Sequence, residues 1–413
     1  MDNTKVPNNM VLQQCLSLLP FDKFSSRFLD YGVKKLTTAN LLRIAVAAQL
    51  GNWTSYTEME ERIRSMTNSQ ELFGLTRISR SQLSRRINDL PSTYPQGLFL
   101  VAARKLQELT SPQRGIPSLG RLNLVDSSSL SLPPNMGKWA YVTKDKNSVK
   151  FHTRFVLTAP DMGYPDLVIP STGNVDDREV VMELVTDPNA MHVMDRGFVD
   201  YNKIDEWIEN HISFAMRINE KHKANRLEVY ETPPNSHVHL DAKVILGSKS
   251  TKMKNPLRLV EFKDDEGRHY RIVTDRWDLK AEDIAEVYRY RWMIELFFKW
   301  LKQHLRLVKL QSTKPQGIWN QIFFALTAYC LALSVRLIEQ SSKTAWDVLR
   351  LIRIYIEQTW QAFWNALHRK PERTSMGRQK SRAPAAPVQL DDAGVARVKP
   401  VGEIRRKTAK YFK

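Results

Sequence analysis

Tyr288, Arg291, Glu295, Lys299 and Lys302 punctuate the stretch YRYRWMIELFFKWLKQHL, residues 288–305. On a helix, at about 100° per residue, these five fall within one arc of roughly 80°. Met293, Ile294, Leu296, Phe297, Phe298, Trp300 and Leu301 cover most of the remaining circumference, the pattern of a helix buried on several sides. A charged groove on such a helix predicts a site, although a solvated face with Glu295 and Lys299 paired at i,i+4 would read alike. Two further acids could meet Glu295. Asp126 stands where the strand with Leu122 and Leu124 gives way to DSSSL, and Asp195 ends AMHVM just before Arg196 and Gly197. Singly, Asp126 could be a turn cap and the Asp195 turn an ordinary strand-to-helix connection. Together, on one edge of a compact mixed sheet, three carboxylates repel one another and call for a divalent cation. All-oxygen ligation suits Mg²⁺ or Mn²⁺. Two such ions ~3.5–4 Å apart cut phosphodiesters by activating the attacking water or 3′-hydroxyl and stabilising the leaving oxygen. Arg291, Lys299 and Lys302 would then contact DNA phosphates. Glu286, on the opposite side of the helix, is the acid excluded from this set.

Composition points the same way. Lysine and arginine exceed aspartate and glutamate by 62 to 44, a net charge of +18, which favours a polyanionic partner such as nucleic acid. The longest apolar run, Phe323 to Val335, is short for a membrane span and reads as a core helix. The opening MDNTKVPNN has no apolar signal region, so a cytoplasmic protein is expected. Cys15 and Cys330 alone offer neither a thiolate zinc cluster nor a disulfide framework.

The elements that must position these residues follow from periodicity. Leu36 to about Leu109 reads as all-helical, and in it SRSQLSRRINDLP offers Ser79 as N-cap, Leu83, Ile87 and Leu90 as a buried stripe, and Arg80, Gln82, Arg85 and Arg86 outside. That segment is either a DNA-recognition helix or a plain basic surface helix. After a linker at 111–120, the order β-β-β-α-β-α-β predicts a mixed sheet with helices on its faces. Asp200 is expected to cap the helix YNKIDEW, and Asp176 or Asp177 the helix before it. Residues 226–276 read as a β-rich insertion, followed by the glutamate helix from about Ala281. The segment 344–367 is expected to form one helix whose face of Trp346, Leu349, Ile352, Ile356, Trp360, Phe363 and Leu367 packs in the core or, as runner-up, in a dimer. The tail from His368 is basic and rich in proline, serine and alanine, hence expected to be flexible.

The pattern Tyr288-x2-Arg291-x3-Glu295-x6-Lys302 resembles the YREK signature of bacterial insertion-sequence DDE transposases, specifically the insertion sequence 4 group. VMDRGFVDY around Asp195 and NLVDSSSL around Asp126 extend the resemblance over about residues 118–335. It implies a mixed α/β (α+β) protein with a ribonuclease-H-like catalytic core. The implied division is a helical N-terminal DNA-binding domain at 1–110, core at 118–225 and 277–340, the β-rich insertion at 226–276, and a C-terminal helix and basic tail at 341–413. It further implies Asp126, Asp195 and Glu295 as the Mg²⁺-binding catalytic triad and cut-and-paste transposition. Tyr288, Arg291 and Lys302, with Lys299 outside the strict motif, would grip the transposon end. Relatives form a DNA hairpin with an aromatic stacked on a flipped base, a place for which Tyr270 is offered, with Trp277 nearby. The implied partners are double-stranded DNA, as terminal inverted repeats and target, and a second protomer in the synaptic complex; no membrane is expected. Two alternatives stay open: a catalytically silent DNA-binding regulator derived from a transposase, and another nuclease of the ribonuclease H fold.

Overall fold

The computed structural model describes residues 9–111, 115–133, 137–144, 146–233, 236–248, 251–305 and 310–370, with two short strands beyond. Six helices come first: α1 (Val11–Ser17), α2 (Thr38–Gly51), α3 (Tyr56–Ser65), α4 (Ser69–Phe73), α5 (Arg80–Asp89) and α6 (Thr93–Thr110). Side-chain caps start several of them. Thr37 accepts from the Asn40 N–H, Ser55 from Glu58, and Ser79 from Gln82 in a reciprocal capping box, so the expected start of α5 is as the sequence signals it. Leu83, Ile87 and Leu90 are buried as expected.

The chain then forms β1 (Leu122–Leu132), β2 (Tyr141–Thr143), β3 (Lys146–Ala159), β4 (Met162–Thr172), α7 (Asp177–Leu184), β5 (Met191–Met194), α8 (Tyr201–Glu209) and β6 (Phe214–Arg217). Asp176 caps α7 and Asp200 caps α8. Four more strands follow: β7 (Ala224–Val229), β8 (Val238–Leu246), β9 (Leu257–Lys263) and β10 (His269–Thr274). All ten belong to one mixed sheet ordered β2-β3-β1-β5-β6-β10-β9-β8-β7, with β4 on β3. The β1–β5 and β5–β6 pairs are parallel; the rest are antiparallel. The four strands expected as an insertion are therefore not a separate layer. Backbone pairing of β10 with β6 prolongs the sheet through them.

Helices α9 (Ala281–Tyr290), α10 (Trp292–His304), α11 (Pro315–Ile338), α12 (Ala345–Tyr355) and α13 (Trp360–Leu367) complete residues up to His368, which form one compact unit. The expected helix over 344–367 is two helices, because Thr359 caps a new start by accepting from the Ala362 N–H. Its face still packs inward: Leu349, Ile352, Ile356, Trp360, Phe363 and Leu367 are buried and Trp346 packs beside them. The core helix α11 is longer than the apolar run that announced it, since Pro315 at its first turn starts it early. At 24 residues it is long and apolar enough to cross a bilayer, yet 83% of its most apolar window is buried inside the protein. Asn320 on α11 donates to the carbonyls of Ile87 and Leu90, both at 2.8 Å, joining it to the end of α5. The N-terminal helices thus share their core with α11 to α13 and do not enclose one of their own. Most of the basic tail lies outside the described residues; β11 (Gln389–Leu390) pairs with β12 (Ala396–Arg397) in it.

A buried ion pair ties the outer strands to the helix that matters most. Arg258 on β9 meets Asp241 on β8 through two bonds of 2.9 and 2.7 Å, and its remaining nitrogen donates to the carbonyls of Arg276 and Leu279 just before α9. Removing one partner would strand the other charge in the core. Asp241→Ala is expected to lower the unfolding free energy by about 3–5 kcal/mol in a urea titration, whereas breaking the exposed Arg268–Asp264 pair with Arg268→Ala leaves the midpoint in place. Equal midpoints for both variants would remove the clamp from this account.

Candidate active site at the β1 and β5 edge

Register brings the two aspartates level. In the parallel pairing Val125 lies opposite Met194, so Asp126 and Asp195 are the next residues on adjacent strands, which run about 4.8 Å apart. Side chains alternate along a strand, and Leu122 and Leu124 on β1, like Met191 and Val193 on β5, face the larger core. Asp126 and Asp195 continue that parity toward the same face, where α10 packs. Asp126 does not close its strand as expected. β1 runs on to Leu132 along β3, with Asp126 opposite Thr153, and it is only the pairing to β5 that stops, because β5 turns into a short helical turn at Arg196–Phe198. The strands part at this point, the kind of crevice in which open α/β sheets bind ligands.

The polar stripe arrives from above. The helix starts at Ala281 as expected but is interrupted at Arg291, where the hydrogen bonds tighten to i,i−3: Arg291 N–H to the Tyr288 carbonyl at 3.2 Å and Ile294 N–H to the Arg291 carbonyl at 3.3 Å. Ile294, Phe297, Phe298 and Leu301 anchor α10 in the core. Trp292 and Leu296 are exposed, so this helix is buried on one broad face and not on several sides. Glu286 is exposed on the far side, as expected.

Two of the stripe residues reach the acids. The buried Tyr288 hydroxyl donates to Asp195 Oδ1 at 3.0 Å. The Arg291 guanidinium lies between the other two acids, with Nη2 2.5 Å from Glu295 Oε1 and Nη1 3.5 Å from Asp126 Oδ2. Its Nε is buried without a partner among the described residues. Burial works against the charge of Arg291, but Tyr288, Glu295 and Asp195 more than offset it, and the pKa is raised. The Asp126 carboxyl is pushed up to about 6, first by burial and further by the charges of Asp195 and Glu295, against the Ser127 N–H bond at 2.8 Å and Arg291. Burial likewise lowers the pKa of the half-buried Lys302. Asp126, Glu295, Lys299 and Lys302 share an open cleft of about 540 Å³ with Ser127, Ser128, Phe298 and Gln303. Ser128 was legible only in hindsight: it shares the parity of Asp126 once β1 is known to run on. Among the described residues no three His, Cys, Asp or Glu side chains stand close enough together to hold a metal ion. Arg291 takes the central place.

The remaining expected residues are placed elsewhere. Tyr270 on β10 stacks on Phe262 at 5.3 Å between ring centroids, carries the Arg217 guanidinium 4.6 Å over its ring, and lies 5.8 Å from the Tyr288 ring. Its ring is thus committed to packing behind Tyr288. Trp277 is 45% exposed. Arg80 and Arg85 are exposed on α5. Arg86, expected to point outward, instead turns in, donating to the carbonyls of Leu29 and Leu36 and to Asp30 at 3.2–3.3 Å, because the bend before α2 would otherwise leave those acceptors unpaired.

Residues 117–331 match the family described as the transposase DDE domain, a span of just over half the chain that contains all three acids. A probable transposase for insertion sequence element IS5377 of Geobacillus stearothermophilus is 28% identical over 304 residues, covering 72% of this chain and 76% of that protein. A putative transposase y4zB of Sinorhizobium fredii is 27% identical over 57% of this chain and 65% of its own length. A putative transposase for insertion sequence element IS4SA of Synechocystis sp. is 28% identical over 47% and 56%. Among solved structures, a piggyBac transposase synaptic complex with hairpin DNA superposes with a TM-score of 0.44 at 11% identity, over 94% of this chain and 88% of that one, a likeness below the level that establishes a common fold. With the family model matching more than half of its length, the chain belongs to the DDE transposases.

Proposed function

We propose that this transposase moves its element by cut-and-paste: it binds the terminal inverted repeats, pairs them in a homodimer, cleaves them with Asp126, Asp195 and Glu295, and joins them to target DNA. The observation that carries this reading is the convergence of Tyr288 on Asp195 and of Arg291 on both Asp126 and Glu295. The meander β4-β3-β1 continued by parallel β5 and β6 supports a ribonuclease-H-like core. The division into a helical DNA-binding part, a split core and an insertion is retained as a division of labour, and the insertion sequence 4 group as the subgroup.

The donor types suit a hard divalent cation: Asp126 and Glu295 line one cleft and share the Arg291 guanidinium, Asp195 ends the neighbouring strand, and Asp126 is already held back from ionising by burial and by its acidic neighbours. Asp126, Asp195 and Glu295 would hold Mg²⁺ or Mn²⁺, which when bound supplies an activated water or 3′-hydroxyl and stabilisation of the leaving oxygen. The chain's own groups do the rest. Tyr288 fixes the orientation of Asp195, Arg291 neutralises the acids, and Lys299 and Lys302 hold phosphates along the cleft. Arg80 and Arg85 would touch DNA from α5. Of the two rings considered for stacking on a flipped base, Trp277 has an open face and Tyr270 braces Tyr288. The protein would work in the bacterial cytoplasm, on nucleoid DNA.

Three outcomes follow. Glu295→Ala should bind a labelled duplex of the gene's flanking end as wild type does and cut it about a thousandfold or more slowly in Mg²⁺; equal cutting sinks the assignment. Lys302→Ala should bind more weakly, with the slope of log affinity against log salt shallower by about 1. For Asp126 the sign follows from a carboxyl that holds its proton more tightly folded than unfolded. Stability is then highest with the group protonated and is lost as pH rises from 3.8 to about 6. Asp126→Asn, which cannot ionise, should exceed wild type by roughly 1–3 kcal/mol in metal-free urea titrations above about pH 7 and match it below about pH 4. A pH-independent difference would count against the strained carboxyl.

A further inference from the structure

Behind β1, on the face away from α10, a small polar cluster interrupts the apolar core that Val125 and Val181 share. Asp176 takes the capping position of α7, which leaves its neighbour Asp177 without that task. Asp177 turns instead toward β3. Its Oδ1 lies 3.0 Å from His152 Nδ1 and 3.4 Å from Lys150 Nζ. The His152 ring is fully buried, and Lys150 is fastened further by donating to the Val175 carbonyl at 2.8 Å. The Ser171 hydroxyl spends its hydrogen on the Thr172 carbonyl at 3.0 Å, so toward His152 Nε2, 2.9 Å away, it can only accept. Both ring nitrogens thus face acceptors, and the ring is fixed between β4 and α7.

Polar groups in an apolar layer cost stability unless their partners are in place. A pin that merely fastened α7 to β3 would need nothing from β1. Yet the Asp177 carboxylate also takes a bond from the Ser127 hydroxyl on β1, and Ser127 is the residue opposite His152 across the β1–β3 ladder. Burial raises the Asp177 pKa, but the bonds from His152 and Ser127 and the charges of Lys150 and His152 outweigh it, so the group is held below the usual carboxylate range. Ser127 links the two faces of the sheet. Its side chain follows the parity of Val125 toward this cluster, while its N–H donates to Asp126 Oδ1 at 2.8 Å.

We infer that Ser127, His152 and Asp177 are positioning residues for Asp126: the buried cluster holds the Ser127 hydroxyl and so fixes the peptide whose N–H orients the Asp126 carboxylate. Partners one step removed from the reacting atoms commonly set the orientation of groups that bind metal. The inference rests on the reading of Asp126 as one of the acids that cut DNA.

The test compares Ser127→Ala, Ser127→Thr and Asp177→Asn with wild type in the full chain, on a labelled duplex from the gene's flank. Ser127→Ala and Asp177→Asn should bind the duplex without metal as wild type does, and cut saturating duplex in Mg²⁺ roughly 10–100-fold more slowly. Ser127→Thr keeps the hydroxyl on a strand that suits a β-branched residue and should restore the rate. Hydrogen exchange read by mass spectrometry needs no activity: the Ser127 amide should lose protection in Asp177→Asn while the melting temperature holds. Wild-type cutting by Ser127→Ala and Asp177→Asn, or a Ser127→Thr as slow as Ser127→Ala, would overturn the inference. So would slowing matched by weaker duplex binding and a lower melting temperature, which is a loss of fold alone. Wild type that cuts no duplex would overturn the catalytic reading instead. Unchanged protection of the Ser127 amide in Asp177→Asn would overturn the positioning whether or not wild type cuts.

Discussion

The site depends on the parallel pairing that sets Val125 beside Met194. Four paired residues are enough to bring Asp126 and Asp195 level, and the alternation of side chains points both at the same helix. A slip of one residue would turn one aspartate to the opposite face. The register is held by burial on both faces: Leu122, Leu124 and Val193 face one core while Val125 and Met194 face the other. The apolar residues that look least chemical are thus what makes the acids a pair.

Electrostatics sets the second constraint. A half-buried carboxyl that feels two other acids costs stability unless something cationic stands among them, and Arg291 reaches both Asp126 and Glu295. The interruption between α9 and α10 falls on this residue, where the tightened turn lets the guanidinium reach Asp126 across to β1 and Glu295 one turn along. Tyr288 serves Asp195 from the preceding turn. The stripe therefore acts as a set of partners for the acids, with its lysines left to face the open cleft.

The helix bearing this stripe is placed by distant residues. Arg258 and Asp241 bind the outer strands to the segment leading into α9, while α11 packs behind α10 and draws the N-terminal helices into the same core. The outer strands that resemble an inserted module are thereby part of the support of the site, through an unbroken sheet from β2 to β7.

Much of this was legible in the residues alone. The 3.6-residue spacing of Tyr288, Arg291, Glu295 and Lys302 marks one helix face, the caps at Ser79, Asp176 and Asp200 mark helix starts, and alternating apolar residues mark strands, because each is a local consequence of backbone geometry. Tertiary structure alone decided the rest. That β1 continues past Asp126, that β10 extends the sheet from β6, that Tyr270 is packed while Trp277 is open, and that Arg86 turns inward all depend on partners far away in sequence. The sequence by itself determined which residues are candidates for the chemistry and which local elements present them. Only the fold decided which of them meet, because pairing across strands and burial of a guanidinium are settled by long-range contacts that no local spacing encodes.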